Sequence, residues 1–384
     1  MPGYIDEPAD FLESTFFRLS GWVADQSTPV SAIYAKINRK RFELSFYTRP
    51  DVVRDYPGFF TTGFSTFVRL ADLGPVSTIT IEILNADTVI LHRKVAVSES
   101  ALSSISAEEE ARQEKLEWLL PRVSCLECGS DLDRDGVCIR CGYRYMKGVM
   151  PDFIPRTVEG FQEIEFNGVV CSQGYDGDME RVIAAAEARG GKILDCGAGM
   201  RPSCRRSIVT TDIFPYPNID VLALNQRLPF KDQVFDAVLS CHVLEHVPDP
   251  FACAKELYRV LRPQGTLFAT TPMIVPEHGV PHHYFNPTRE GLARLFGAGA
   301  DLRVYIPVLG HPINGVWTIL GLYRDSLPEP QRSKFVSMTV SDLLSHPIEH
   351  WIGHEIASTL NDDGRRRLAT AFCVELVRQS EGET

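Results

Sequence analysis

The spacing of apolar and polar residues changes character along the chain. From about residue 12 to 97 the period is two. Ile33, Ala35 and Ile37 share one face against Tyr34, Lys36 and Asn38, and Ile79, Ile81 and Ile83 repeat the pattern. Alternation of this kind marks half-buried strands. Similar runs at TFFRLSGWVA, RFELSFY, GFSTFVRL and TVILHRKVAV, separated by Pro and Gly turns, predict a small β-sandwich of six or seven strands over residues 1–100. The run SSISAEEEARQEKLEWLLPRV then predicts a charged helical connector over 101–122, with Ser106 and Glu109 as a capping box and Pro121 as its stop. From about residue 158 to 384 helices and strands alternate. MERVIAAAEARGG and DPFACAKELYRVLRP read as helices, the second with Leu257, Val260 and Leu261 on one side, while KILDCG, SIVTTDI, AVLSCH and GTLFATTP read as strands. Such alternation predicts an α/β fold with a mostly parallel, doubly wound sheet that binds ligands at the carboxyl ends of its strands. DLRVYIPVLG and TAFCVELVR read as the last two strands. The segment between them, a helical insertion at about 313–366, reads as amphipathic helices packed on the core, with a lid, a dimer contact or a membrane-surface contact as alternatives.

Composition narrows the function classes. A chain of 384 residues is long for one core and predicts two or three domains. A net charge of −11 weighs against a broad nucleic-acid surface, although Arg201, Arg205 and Arg206 make a small basic patch. No apolar run approaches a membrane span, and the acidic start MPGYIDEPAD has no apolar core of a secretory signal, so a cytoplasmic location is expected. In that setting the ten cysteines read as thiols and metal ligands.

Four of them stand in register. Cys125 and Cys128 form one C-x-x-C, Cys138 and Cys141 a second, and each pair is followed by a glycine, Gly129 and Gly142. Four thiolates suit tetrahedral Zn2+ and leave no open position for a substrate, so residues 123–157 read as a structural zinc ribbon.

The stretch KILDCGAGMRPSCRRSIVTTDIF carries the cofactor question. A dinucleotide site needs a third glycine for its pyrophosphate, and here Gly197 and Gly199 are followed by Met200, Arg201 and Pro202. S-adenosylmethionine (SAM) has no phosphate. Asp195 at the strand end suits its cationic methionine part, the two glycines admit the backbone, and Asp212 ending the next strand can accept bonds from ribose hydroxyls. Cys196 and Cys204 lack C-x-x-C partners. Asp212 follows Gly199 so closely that the first helix of the fold must be a single turn or absent, which makes Arg201 a candidate partner for the SAM carboxylate.

LDCGAG, TTDI, LPFKDQVFDAVLSCHVLEHVPDP and KELYRVLRPQGTLFATTP, in that order, resemble the motifs of class I SAM-dependent methyltransferases over about 80 residues. The resemblance implies a Rossmann-like, seven-stranded α/β sheet. It places Asp195, Gly197 and Gly199 at the glycine loop and Asp212 at the ribose. Ala223 or Leu224 stands where an acid usually meets adenine, leaving Asn225 or Gln226 as the polar group, and Cys241 and His242 line the cofactor or substrate side. Phe235 and Asp236 support the fold. Two weaker likenesses accompany it. YRYMKGVMPDFIP resembles the exit of zinc-ribbon segments that precede some bacterial methyltransferase domains. GWVAD, TRPDVVRDYP and TTGFSTFVRL resemble a β-domain found beside bacterial polysaccharide-synthesis enzymes.

Methyl transfer is an in-line displacement that gains mostly from alignment, but a hydroxyl nucleophile must also lose its proton, for which histidine is suited. His242, His246, His278, His282 and His283 are within reach. His246 reads chiefly as a residue orienting the VLEHVPDP loop. A divalent ion on Glu245 and His246 finds no further acidic cluster in support. His282 or His283, in EHGVPHHYFNPTREGL with Tyr284 as a pocket wall, is the candidate base or substrate ligand. The sequence thus favours O-methylation of a sugar or glycan precursor. A small-molecule methyltransferase, an RNA methyltransferase and a SAM-binding scaffold without catalysis are the alternatives, and a homo-oligomer is compatible with each.

Overall fold

The computed structural model describes residues 2–26, 33–74, 76–147, 150–155, 174–201, 204–279, 282–297, 302–307, 310–347, 350–351 and 354–368. The N-terminal part builds two sheets. Gly3–Glu7 (β1), Phe16–Asp25 (β3), Ser45–Tyr47 (β6) and Phe60–Arg69 (β7) form one, in the order β1-β3-β7-β6. Phe11–Leu12 (β2), Ile33–Ile37 (β4), Lys40–Phe42 (β5), Thr78–Asn85 (β8) and Thr88–Val97 (β9) form the other, in the order β2-β9-β8-β4-β5. The inward positions of both sheets, among them Leu19, Val23 and Phe64 from the first and Ile37, Ile79, Ile81 and Ile83 from the second, share one apolar cluster. Their period of two is what puts them on a common face. RFELSFY does not make the single strand its pattern predicts. Its halves enter different sheets, β5 pairing with β4 and β6 with β7, and Leu44 between them is buried.

The connector helix is Glu99–Leu119 (α1), which begins before the expected Ser106 cap. Its cap is Ser98, whose hydroxyl accepts from the Ala101 N–H at 3.0 Å, and Ser106 lies inside the helix. The helix begins early because Leu102 and Ile105 on its first turns pack against the core of the two sheets.

The second half is an α/β unit. Ile193–Cys196 (β12), Ile208–Asp212 (β13), Val221–Leu222 (β14), Phe235–Cys241 (β15) and Leu261–Thr270 (β16) form a five-stranded sheet in the order β14-β13-β12-β15-β16. Every neighbouring pair is parallel. Residues 302–307, expected as a further strand, pair with no strand and instead bring Tyr305 against Phe268. TAFCVELVR lies outside the described residues. Gly177–Glu187 (α2) covers the face carrying Ile193, Ile208, Ala237 and Leu239. Leu194, Val209, Val221 and Val238 look the other way, onto Leu257 and Val260 of Pro250–Val260 (α3) and onto Leu119 of α1.

Among their described residues, the links 197–207 and 213–220 contain no helix. The face that crossover helices would cover is filled by residues from earlier in the chain. Leu119, Val123, Leu132, Tyr145 and Phe153 all lie in the same cluster as Leu194 and Val221. Met146–Lys147 (β10) and Met150–Pro151 (β11) form a short hairpin, and beyond it Phe153 N–H donates to the Leu222 carbonyl at the edge of β14.

One buried ion pair fixes α1 to this sheet. Lys115 Nζ lies 2.6 Å from Asp220 Oδ2 and also donates to the Ile208 carbonyl at 3.1 Å, with 2% and 6% of the two side chains exposed. Asp220 Oδ2 accepts from Thr210 N–H as well. Arg112 of the same helix donates to the Ile219 and Pro217 carbonyls.

The helix Pro312–Asp325 (α5) and the shorter helices Gln331–Ser337 and Val340–Leu344 bury none of their described residues, although Leu327 and Ile356 in the same expected insertion are buried. Ile313, Val316 and Trp317 of α5 are exposed. No described helix is long and apolar enough to cross a membrane.

With only 2% of its side chain exposed, Lys115 is the buried cation facing Asp220, and replacing it leaves Asp220 buried without that partner. Lys115→Met is expected to lower the unfolding free energy by about 3 kcal/mol. Lys115→Met/Asp220→Leu should recover most of that loss. Urea midpoints of the two variants against wild type check both statements, and equal loss in single and double variants contradicts them.

Candidate active site at the strand ends

The chain runs from β12 to β13 and β14 on one side, then crosses to β15 on the other side of β12. That reversal brings the carboxyl ends of β12 and β15 side by side, the place where open α/β sheets take ligands. Asp195 and Cys241 stand on its two sides.

Asp195 is fully buried. Arg201 holds it with Nε 2.9 Å from Oδ2 and Nη2 3.3 Å from Oδ1, and the Tyr175 hydroxyl donates to Oδ2 at 3.1 Å. Arg201 is itself 4% exposed and lies over the Tyr175 ring. Burial and the neighbouring carboxylate together push the Tyr175 phenol up.

Both glycines are conformational requirements. Gly197 and Gly199 have φ of +70° and +62°, and a Cβ on Gly197 would sit 2.5 Å from Val243 Cγ2. The turn is closed by Gly197 and Ala198 N–H on the Thr211 carbonyl. Asp212 Oδ2 accepts from Gly199 N–H at 2.9 Å and Oδ1 from Phe214 N–H at 3.0 Å. Burial pushes the Asp212 carboxyl up while these amides pull it down. Asn225 is buried in the turn after β14, between bridged Leu224 and Arg227.

On the β15 side, burial pushes the Cys241 thiol up to about 12. His242 has a left-handed backbone, φ +56°, and 48% of its side chain is exposed. A short turn, Leu244–His246, follows. Glu245 is fully buried and neither carboxylate oxygen receives a hydrogen bond. His246 Nδ1 lies 2.6 Å from the His282 carbonyl.

The histidine loop separates its candidates. His283 is occupied at both nitrogens: Nδ1 accepts from His278 N–H at 3.1 Å and Nε2 faces Asn286 Oδ1 at 2.6 Å. The His282 ring is exposed, 5.6 Å from the Tyr284 ring. Thr288 caps the following helix, Arg289–Leu295 (α4), by accepting from Gly291 N–H. Sequence reasoning placed His278 within reach but gave it no role and missed the burial of Glu245, because neither their proximity nor the missing hydrogen bonds has a sequence pattern.

The four cysteines converge. Their sulfurs all lie within 4.8 Å of one another, with Cys125 and Cys141 at 3.6 Å and Cys128 and Cys138 at 3.4 Å. Gly129 and Gly142, at φ +72° and +73°, close two like turns by donating to the Cys125 and Cys138 carbonyls. Hydrogen bonds from Ser130, side chain then backbone, lower the Cys128 thiol to about 6.

The three arginines of the basic patch are each neutralised: Arg201 by Asp195, Arg205 by Glu180, and Arg206 by Glu110 and Glu114.

Removing the Arg201 guanidinium strands Asp195 in the interior. Arg201→Ala is expected to cost about 3 kcal/mol of stability at neutral pH. Arg201→Ala/Asp195→Asn should restore much of it, as thermal unfolding of the three proteins would show.

Residues 193–269 match the family described as "Methyltransferase domain". Cycloartenol-C-24-methyltransferase 1 of Oryza sativa subsp. japonica is 42% identical over 57 residues, 15% of this chain and 16% of that protein. An uncharacterized methyltransferase of Mycobacterium tuberculosis is 32% identical over 96 residues, 25% of this chain and 35% of its own. One of Mycobacteroides abscessus is 34% identical over 91 residues, covering 23% and 32%. The chain thus spans about a third or less of the length of these curated relatives. The parallel sheet, the glycine turn at its switch point and these matches agree that residues 193–269 are a SAM-dependent methyltransferase domain of Rossmann-like α/β fold.

Proposed function

We propose that the whole chain is a SAM-dependent methyltransferase that O-methylates a hydroxyl-rich acceptor, a sugar or glycan precursor. The observation that carries the cofactor half is the placement of Asp195, left-handed Gly197 and Gly199, and Asp212 around one crevice. In this reading Asp212 accepts from the ribose and Asn225 faces the adenine. Cys241 and His242 form the β15 wall. Arg201, already paired with Asp195, shares its guanidinium with the methionine carboxylate, in place of a helix N-terminus. When bound, SAM supplies the electrophilic methyl group. The protein's part is to align the acceptor and exclude water from the crevice.

Of the two loop histidines, His282 is the better base, because both nitrogens of His283 are engaged. The glycan half of the proposal rests on that loop and on the likeness of the N-terminal strands to domains of polysaccharide-synthesis enzymes. A second reading, transfer to an apolar or lipid-linked small molecule, is favoured by exposed Ile313, Val316 and Trp317 on α5. An RNA acceptor is disfavoured by the neutralised arginines. We further propose that the four cysteines hold a structural zinc ion. Zinc–sulfur bonds of about 2.3 Å put tetrahedral sulfurs about 3.8 Å apart, close to the separations here. Residues 1–100 are assigned to a β-sandwich domain, 123–157 to the ribbon and 158–384 to the catalytic domain, in a cytoplasmic protein.

Calorimetry should find one SAM per chain, at least tenfold weaker in Asp212→Ala; no heat with the wild type refutes the cofactor reading. Labelled-methyl transfer should favour the glycan pool over RNA and lipid pools and fall at least tenfold in His282→Ala but little in His283→Ala. Elemental analysis should give one zinc bound by the cysteines, lost in Cys138→Ser. Because this module packs on β14, its loss should also lower the melting temperature of the methyltransferase domain.

A further inference from the structure

The turn after β15 contains a buried carboxylate that receives no hydrogen bond among the described residues. Glu245 is 0% exposed, and both of its carboxylate oxygens lack a hydrogen bond. An unpaired buried carboxylate is among the costliest arrangements a protein can hold. Two imidazole nitrogens lie within ion-pair distance: His242 Nδ1 at 3.6 Å and His246 Nε2 at 4.0 Å from Oε1.

Hydrogen bonding fixes how two of the rings present themselves. His246 Nδ1 faces the His282 carbonyl at 2.6 Å, and a carbonyl only accepts, so that nitrogen carries the proton. His278 Nδ1 faces the Pro276 carbonyl at 3.0 Å and carries its proton for the same reason. In the neutral imidazole the lone pair of each ring is then on Nε2. The His246 lone pair would face a carboxylate oxygen across 4.0 Å with no donor between them. A cation between the two acceptors would satisfy both.

We propose that Glu245, His246 and His278 bind a divalent transition metal ion, separate from the four-cysteine centre. One donor atom from each of the three residues lies within 4.8 Å of the others. Donors about 2.1 Å from a shared ion stand about 3.4 Å apart, so a contraction of roughly an ångström completes the set. Two imidazoles and a carboxylate are a donor set that zinc, cobalt and iron(II) accept, and three protein ligands leave positions open. The second shell is present: both His Nδ1–H groups donate to backbone carbonyls, the usual device for orienting metal-bound imidazoles. His283 stiffens the loop by accepting from His278 N–H, and Tyr284 N–H ties that loop back to the Glu245 carbonyl.

The open positions would lie at the β15 side of the crevice, where an ion could hold neighbouring oxygens of the acceptor. That use of the ion rests on the methyltransferase reading; its binding does not.

The test is a Co2+ titration of the full chain with its four-cysteine site filled with zinc, followed by calorimetry and visible absorption. Expected is one equivalent with a weak spectrum and no intense thiolate band. Affinity should fall at least tenfold in Glu245→Gln and in His278→Ala, with SAM affinity measured separately on the same proteins. Co2+ should also raise the wild-type melting temperature and not that of Glu245→Gln. Binding absent up to about 1 mM, or unchanged in either folded variant, overturns the proposal. His278→Ala lies in a loop and keeps the test decisive should Glu245→Gln fail to fold.

Discussion

A parallel sheet has to be covered on both faces, and two links of this one are too short to do it. The connections 197–207 and 213–220 cross from strand to strand without a helix among their described residues. Parallel neighbours are usually joined by a helix long enough to pack back on the sheet. Here α1 and the cysteine module supply the missing cover, and Val123, Tyr145 and Phe153 sit in the same cluster as Leu194 and Val221. The regions before residue 158 are therefore part of how the methyltransferase sheet is buried. The Lys115–Asp220 pair gives that docking a single register, since only one position of α1 lets an ammonium meet Asp220 and the Ile208 carbonyl together.

The same shortness shapes the crevice. Without a helix, the chain leaving β12 must satisfy its own backbone within a few residues. It does so with two left-handed glycines, with Gly199 N–H on Asp212, and with Asn218 donating to the Gly199 carbonyl. It must also offset Asp195 without a helix terminus nearby. Arg201 does this directly, so one side chain serves both the fold and the electrostatics of the site. A guanidinium beside a buried carboxylate costs less than either charge alone, and it leaves the crevice close to neutral.

How much of this could be read from residues alone depended on whether the signal was local. The strands of the first sheets showed because alternation is local, and α3 showed because Leu257 and Val260 recur at helical spacing. The cysteine convergence was legible from two identical C-x-x-C-G units. The loss of the first helix followed from counting residues between Gly199 and Asp212. What misled was tertiary. RFELSFY alternates as one strand, yet its two halves satisfy different sheets. Ser106 with Glu109 looks like a cap, yet Leu102 and Ile105 find partners and carry the helix back to Ser98. Arg201, Arg205 and Arg206 form a patch in sequence and are each paired in space, with acids 6, 25 and up to 96 residues away. The exposed helices after residue 312 are amphipathic in pattern, but pattern does not say whether a partner face exists within the chain.

Three carboxylates meet the strand ends, and the fold treats each differently. Asp195 receives a guanidinium and a phenol. Asp212 receives backbone N–H groups from Gly199 and Phe214, which stabilise its charge without adding any. Glu245 receives neither, although it is as deeply buried as Asp195. Burial of charge is tolerated where the fold has already provided the compensating group, as it has twice within the same crevice. The third case differs in what surrounds it: the His242 ring at 3.6 Å, and the His246 and His278 imidazoles, whose protons point away onto backbone carbonyls. Hydrogen bonds that turn protons away from a buried anion make sense if the compensating charge comes from outside the chain. That is why the physical reading of Glu245 leads to a bound ion rather than to a protein base.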